Sequence, residues 1–228
     1  MSGLFLLLGV VGMAIQGAFI LVERKENFKL ALVLKTTASI IFILAGLYAM
    51  QSCGDKTHGW FVVAGLIMGG VGDFLLNLQF VVKKEMAQVL FIAGALAFLA
   101  GHALYMISLW PYVENIALIS FVITVAVTVA LMTWVYRYTE IVLGLKIFGL
   151  VYIGAVVFIT TLTLGRYILQ PVSFASLVFA VGGALFTASD VILIFNMFGK
   201  KQPWMRTANL SLYYAAQLII ASSLMFVM

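Results

Sequence analysis

Three ionisable side chains lie inside long apolar stretches of this sequence: Lys35, Asp73 and Asp190. A charge in the middle of such a stretch costs a few kcal/mol in a bilayer, so groups of this kind are rare there and usually mark a functional site. Carboxyl groups at this depth can transfer protons, and a lysine can bind a phosphate. These three residues are therefore the first candidates for chemistry.

The two carboxyl groups have the same predicted depth. Asp73 and Asp190 each precede by ten residues the lysine that closes their apolar stretch, which places both ~15 Å below the same membrane face. Lys35 is shallower on that side, at a level suited to a phosphate. Structural interpretations stay open as well: the Lys35 side chain can extend to the interface, Asp73 can simply pair with Lys35, or Asp73 and Asp190 can bridge neighbouring helices.

Further polar side chains repeat at helical spacing in the apolar stretches. Asn77 follows Asp73 by four residues, and His102 and Tyr105 are three residues apart, so each pair shares a helical face. Ordinary hydrogen bonds between helices are the structural alternative for all of them. The residues singled out in this way as candidates for binding are Lys35, Asn77, His102, Tyr105, Asn196, Tyr213, Tyr214 and Gln217.

The elements that position these residues must be membrane helices. Of the 228 residues, 64% are apolar and 9% are charged, whereas a soluble domain has about 25% charged residues. We predict an all-α fold, a polytopic bundle of about eight transmembrane helices that forms a single transmembrane domain over residues 1–228. The predicted spans are 2–22, 30–51, 60–82, 87–108, 113–134, 141–164, 172–198 and 207–228.

The distribution of basic residues predicts the topology. Most Lys and Arg residues lie in the first, third, fifth and seventh connections, whereas the other connections hold only Lys56 and Arg166. By the positive-inside rule, both termini face outward. The first span has no basic region before it, which indicates an uncleaved span rather than a signal peptide. We expect an integral, multi-pass protein of the bacterial inner membrane, in contact with the lipid bilayer.

Several classes of partner are disfavoured by composition. The net charge is +5, but the basic residues are scattered over short connections, so no nucleic acid partner is expected. Cys53 is the single cysteine and there are two histidines, so no metal site is expected. Asp55 and His58, in the connection QSCGDKTHG, are expected to be solvated. Oligomeric state is not predicted.

Four motifs resemble those of a known family. They are GLIMGGVGDFLLNL, FIAGALAFLAGHALYM, GALFTASDVILIFNMF and LYYAAQLIIAS, and in this order and spacing they are similar to the YhhN-like family of lysoplasmalogenases. Lys35 matches a lysine at the start of the family's second span. This chain has Thr36 where the family has a proline, and Ile194 where a small residue is expected.

The resemblance implies hydrolysis of the vinyl ether bond of a lysophospholipid, the lysoplasmalogen, to a fatty aldehyde and a glycerophospho-ethanolamine or glycerophospho-choline. It implies no cofactor. The reaction needs an acid to protonate carbon and an anion to stabilise the resulting cation, and Asp73 and Asp190 are the implied catalytic residues. Which of the two is the acid is not decided by the sequence.

Two other functions stay open: a proton-coupled transporter and a hydrolase of another lysolipid. Paired carboxyls and a membrane lysine also occur in transport sites. Pro111, Pro171 and Pro203 are all expected in connections, so the sequence indicates no broken helix. No G-x-S-x-G motif supports a serine hydrolase.

Overall fold

The computed structural model describes residues 3–169 and 174–227. Its regular structure in these two ranges is helical, with no strand. The predicted all-α fold is confirmed. The eight helices are α1 (Gly3–Arg24), α2 (Phe28–Gln51), α3 (Lys56–Leu78), α4 (Lys84–Val113), α5 (Ala117–Arg137), α6 (Leu143–Leu169), α7 (Phe174–Phe198) and α8 (Pro203–Ser223).

Seven helical stretches in the described residues are long and apolar enough to cross a membrane. One of them, Lys84–Arg137, has 54 residues and comprises α4, a three-residue 3-10 turn and α5. A span needs about 20 residues, so this stretch is long enough for two spans. Each of the eight predicted spans thus corresponds to one helix, and the protein is an integral, multi-pass membrane protein.

The connection between α2 and α3 is more ordered than expected. The side chain of Asp55 caps α3 by accepting hydrogen bonds from the backbone N–H groups of Thr57 at 2.9 Å and His58 at 3.1 Å. His58 is 4% exposed, and its Nδ1 donates to the carbonyl oxygen of Ser108 at 2.9 Å. The expectation that Asp55 and His58 are merely solvated is wrong, because Asp55 caps α3 and His58 is buried in the first turn of that helix.

The proline prediction is wrong at Pro111, which lies inside α4, two residues before its end. A proline has no N–H, so α4 lacks the hydrogen bond to the carbonyl of Ile107, and because Pro111 is in the last turn only the final residues of the helix follow this missing bond. The prediction is also wrong at Pro203, which is the first residue of α8 rather than part of a connection; proline is favoured at this position. Pro171 lies outside the described residues.

The chain divides into two compact units, which are described separately. The first comprises Met1–Ser108 and Leu224–Met228. Within it, small residues bring α3 and α4 close together: a Cβ atom at Gly101 would lie 3.0 Å from the carbonyl oxygen of Gly65. The C-terminal segment joins this unit, since Gly54 donates its backbone N–H to the carbonyl of Val227 at 2.8 Å.

The second unit comprises Leu109–Ser223. Its α7 and α8 are in close contact, because a Cβ atom at Gly182 would lie 3.2 Å from the carbonyl oxygen of Ala216. Helices α5 and α6 are joined by a hydrogen bond of 2.7 Å between the hydroxyls of Thr124 and Thr161. That both units form one domain over residues 1–228 stays a prediction.

Candidate active site

A buried ion pair joins α2 and α3 in the first unit. The Nζ atom of Lys35 on α2 is 3.3 Å from Oδ1 of Asp73 on α3, and the two side chains are 1% and 6% exposed. Of the structural interpretations that the sequence leaves open, the structure therefore has the pairing of Asp73 with Lys35. Because each charge is the counter-ion of the other, the pair favours a carboxylate at Asp73 and an ammonium at Lys35.

Neutral side chains complete the surroundings of this pair. Ser39, one helical turn after Lys35, donates its hydroxyl to Oδ2 of Asp73 at 2.6 Å. Lys35 also donates to Oε1 of Gln16 on α1 at 3.5 Å, and its Nζ lies 5.6 Å from the ring centroid of Phe19. Both oxygens of Asp73 thus have a donor. Ser39 and Gln16 were missed by sequence reasoning, although the four-residue spacing from Lys35 could have identified Ser39.

The other predicted residues of the first unit have different contacts. Asn77 donates to the backbone carbonyl of Asp73 at 2.8 Å, so it shares the predicted face. His102 and Tyr105 stack with ring centroids 6.2 Å apart, and both are buried on α4. Tyr105 packs against the backbone at Gly65, about two helical turns along α3 from Asp73. Along the axis of α3, His102 and Tyr105 therefore lie at a different level from the Lys35–Asp73 ion pair.

Asp190 on α7, in the second unit, has different electrostatic surroundings. It is 6% exposed and hydrogen bonds to the side chain of Tyr152 on α6. Its Oδ2 atom is buried and has no hydrogen-bond partner within residues 3–169 and 174–227. No Lys or Arg of those residues pairs with it. An isolated carboxylate is costly in such surroundings, so they favour the neutral acid at Asp190.

The polar residues of α8 form two hydrogen-bonded groups. Asn209 donates its Nδ2 to the backbone carbonyl of Ser189 at 2.9 Å, and Ser189 donates its hydroxyl to the carbonyl of Asn209 at 3.0 Å. Gln217 donates to the hydroxyl of Tyr213 at 3.2 Å. Tyr214 is fully buried. The structure thus places the predicted residues Tyr213, Tyr214 and Gln217 inside the second unit.

Asn196 lies apart from this group. It follows Asp190 by six residues, which places it about 120° around α7, and it is half-buried. Its predicted role in substrate binding stays a prediction. The residue that does contact Asp190, Tyr152, was missed by the sequence analysis, because a tyrosine in an apolar helix does not stand out from its aromatic neighbours.

These observations define the class of protein: a polytopic helical membrane protein with buried ionisable groups in both of its units. The YhhN family model matches residues 30–224, so the chain belongs to the YhhN family. This match includes every candidate site residue predicted from the sequence. No curated protein and no solved structure matches the chain.

Proposed function

We propose that this protein is a membrane hydrolase that cleaves the vinyl ether bond of lysoplasmalogens. The products are a fatty aldehyde and a glycerophospho-alcohol. The observation that carries the proposal is the contrast between the two buried carboxyls: Asp73 is paired with a cation, whereas Asp190 has no described counter-ion. Vinyl ether hydrolysis needs both forms, an acid and an anion, and membership of the YhhN family supports this reaction.

Asp190 is the proposed general acid. A neutral carboxylic acid has one proton to give, and a buried oxygen without a partner is a suitable place for that proton. The interaction with the Tyr152 side chain restricts the orientation of this carboxyl group. In this role Tyr152 is a positioning residue, because it acts through Asp190.

Asp73 is the proposed anion. The Lys35 ammonium and the Ser39 hydroxyl stabilise its carboxylate form. A carboxylate can stabilise the positive charge of an oxocarbenium ion and orient the attacking water, as in glycosidase carboxylate pairs. Since the charge of Lys35 is already matched by Asp73, its predicted contact with the substrate phosphate would require the ion pair to open.

The proposed reaction consumes one water. The acid transfers its proton to the β-carbon of the vinyl ether, the double-bond electrons form the new C–H bond, and an oxocarbenium ion results. Water adds to this cation and returns a proton to the carboxylate. The hemiacetal then collapses: its hydroxyl gives up its proton as the C=O bond forms, its C–O bond to glycerol breaks, the glycerol oxygen takes up a proton, and the aldehyde is released.

The test compares two lipids that differ only in the double bond. Detergent-purified protein is incubated with a lysoplasmalogen and with its saturated alkyl-ether analogue, and the release of fatty aldehyde is measured. We expect aldehyde from the vinyl ether alone. Absence of aldehyde across pH and headgroups would contradict the proposal.

A proton-coupled transporter remains the second candidate, because the buried Lys35–Asp73 pair is also of the kind that binds and releases protons in carriers. Reconstituted liposomes distinguish the two functions. Solute-coupled proton flux without aldehyde would favour the carrier, whereas aldehyde without flux would favour the hydrolase. Hydrolysis of another lysolipid is tested by the same substrate panel.

A further inference from the structure

Arg166 on α6 is a cation that the proposed reaction does not use. Its guanidinium carbon lies 4.2 Å from the centroid of the Tyr112 ring. The side chain is half-buried, and its Nε atom is buried without a hydrogen-bond partner in the part of the chain that the structure describes. Within the same residues no carboxylate pairs with it, although the exposed Glu114 is close to Tyr112 in sequence.

The position of Arg166 along α6 places it at the level of lipid headgroups. Lys146 and Arg166 are 20 residues apart on the same helix, which is ~30 Å along its axis and equals the thickness of the hydrocarbon core. Lys146 also lies over a tyrosine ring, with its Nζ 5.5 Å from the centroid of Tyr136. The two cations therefore mark the two boundaries of the hydrocarbon core.

We propose that Arg166 and Tyr112 form a binding site for the phosphate of a membrane phospholipid. The tyrosine ring covers one face of the guanidinium, so the N–H groups at its edge remain to bind an anion. A guanidinium binds phosphate through two parallel hydrogen bonds. At the headgroup level the available phosphate is that of the surrounding lipid.

This lipid is separate from the substrate of the proposed reaction. Tyr152, which contacts Asp190, is 14 residues from Arg166 on α6, or ~21 Å along the helix. In a lysoplasmalogen only the glycerol backbone separates the phosphate from the vinyl ether, which is a much shorter distance. The site at Arg166 therefore stands whether or not the protein hydrolyses vinyl ethers.

The test counts retained lipids. Protein reconstituted in vesicles of phosphatidylethanolamine and phosphatidylglycerol is extracted in mild detergent, and bound phospholipids are counted by native mass spectrometry. We expect Arg166→Gln to retain about tenfold less of one phospholipid than the wild type. Arg137→Gln, which removes an exposed arginine of α5, is the matched control and is expected to retain it. Equal retention by wild type and Arg166→Gln, or equal loss in both variants, would overturn the proposal.

Two further arms address the source of the phosphate and the folding of the variant. Wild-type protein is offered inorganic phosphate alone: binding of free phosphate without retention of any phospholipid would overturn the lipid site.

If Arg166→Gln fails to fold, Tyr112→Leu is used instead, because it keeps the charge of Arg166 and removes the ring beside it. We expect this variant to retain about threefold less phospholipid, since a cation over a ring contributes about 0.5–1 kcal/mol. Unchanged retention in Tyr112→Leu would then contradict the proposal.

Discussion

Tyr152 on α6 hydrogen bonds to the side chain of Asp190 on α7, and the Oδ2 atom of Asp190 has no partner in the described residues. Tyr152 therefore restricts the orientation of the carboxyl group, and Oδ2 is the candidate proton donor. Asp190, rather than Asp73, is assigned as the acid because Asp73 is paired with Lys35 whereas Asp190 has no counter-ion in the described residues.

Replacing Tyr152 by Phe tests this positioning role. We expect the kcat for aldehyde release to fall about tenfold, the equivalent of one hydrogen bond of about 1.4 kcal/mol, with KM unchanged because the proposed role of Tyr152 is exerted through Asp190. Tyr136→Phe is the matched control, since the Tyr136 hydroxyl donates to the carbonyl of Lys146 rather than to a carboxyl group. Equal kinetics in both variants would remove the positioning role.

Removal of Lys35 should destabilise the first unit. Lys35→Met leaves the Asp73 carboxylate buried without its counter-ion, and breaking a buried pair in this way costs about 3 kcal/mol. The double variant Lys35→Met with Asp73→Asn should recover part of that loss. Unfolding in a denaturing detergent measures both effects.

The control for this experiment is Lys29→Met, which removes an exposed lysine near the start of α2. It should change the free energy of unfolding by less than about 0.5 kcal/mol. If Lys35→Met is as stable as Lys29→Met, the ion pair is not a stabilising feature of the fold.

Gly182 should not tolerate a larger residue. A Cβ atom there would lie 2.6 Å from Cγ1 of Ile220 and 3.2 Å from the backbone carbonyl of Ala216, so Gly182→Ala forces α7 and α8 apart. We expect a loss of about 1–3 kcal/mol. Gly17→Ala is the matched control, because nothing lies within 4 Å of its added Cβ. The control should be neutral or stabilise by up to about 1 kcal/mol, and equal unfolding curves would contradict the packing argument.

Cys53 should react slowly with thiol reagents. It is 2% exposed, and burial raises the pKa of its thiol. At a given pH a raised pKa means less thiolate, which is the reactive form. We expect maleimide labelling of the folded protein to be slow near neutral pH, to rise as the pH increases, and to become fast on unfolding. Fast labelling of folded protein at neutral pH would show that the connection between α2 and α3 is open.

The fold could be predicted well from the sequence, because apolar stretches of this length have few alternatives in a bilayer. The errors of the prediction concern the ends of the predicted spans. The fourth predicted span stops at residue 108, whereas α4 continues to Val113 through Pro111. A helix can extend into the headgroup region after its apolar sequence has ended, so hydropathy alone does not locate its terminus.

The charged residues of the candidate site could be predicted from the sequence, whereas the residues that contact them could not. Lys35, Asp73 and Asp190 stand out because charges are rare in membrane helices. Ser39, Gln16 and Tyr152 do not, since neutral polar and aromatic residues are common there. Their roles depend on which helices are neighbours, which a single sequence does not specify.

The most direct test of the account is the rate of aldehyde release from a lysoplasmalogen by the wild type, Asp190→Asn and Asp190→Glu. The variants are compared at equal amounts of folded protein, judged by size-exclusion profile and unfolding curve. Because an amide cannot act as the acid, we predict a loss of about 100-fold or more in Asp190→Asn and partial activity in Asp190→Glu. Wild-type rates in a folded Asp190→Asn variant would contradict the account.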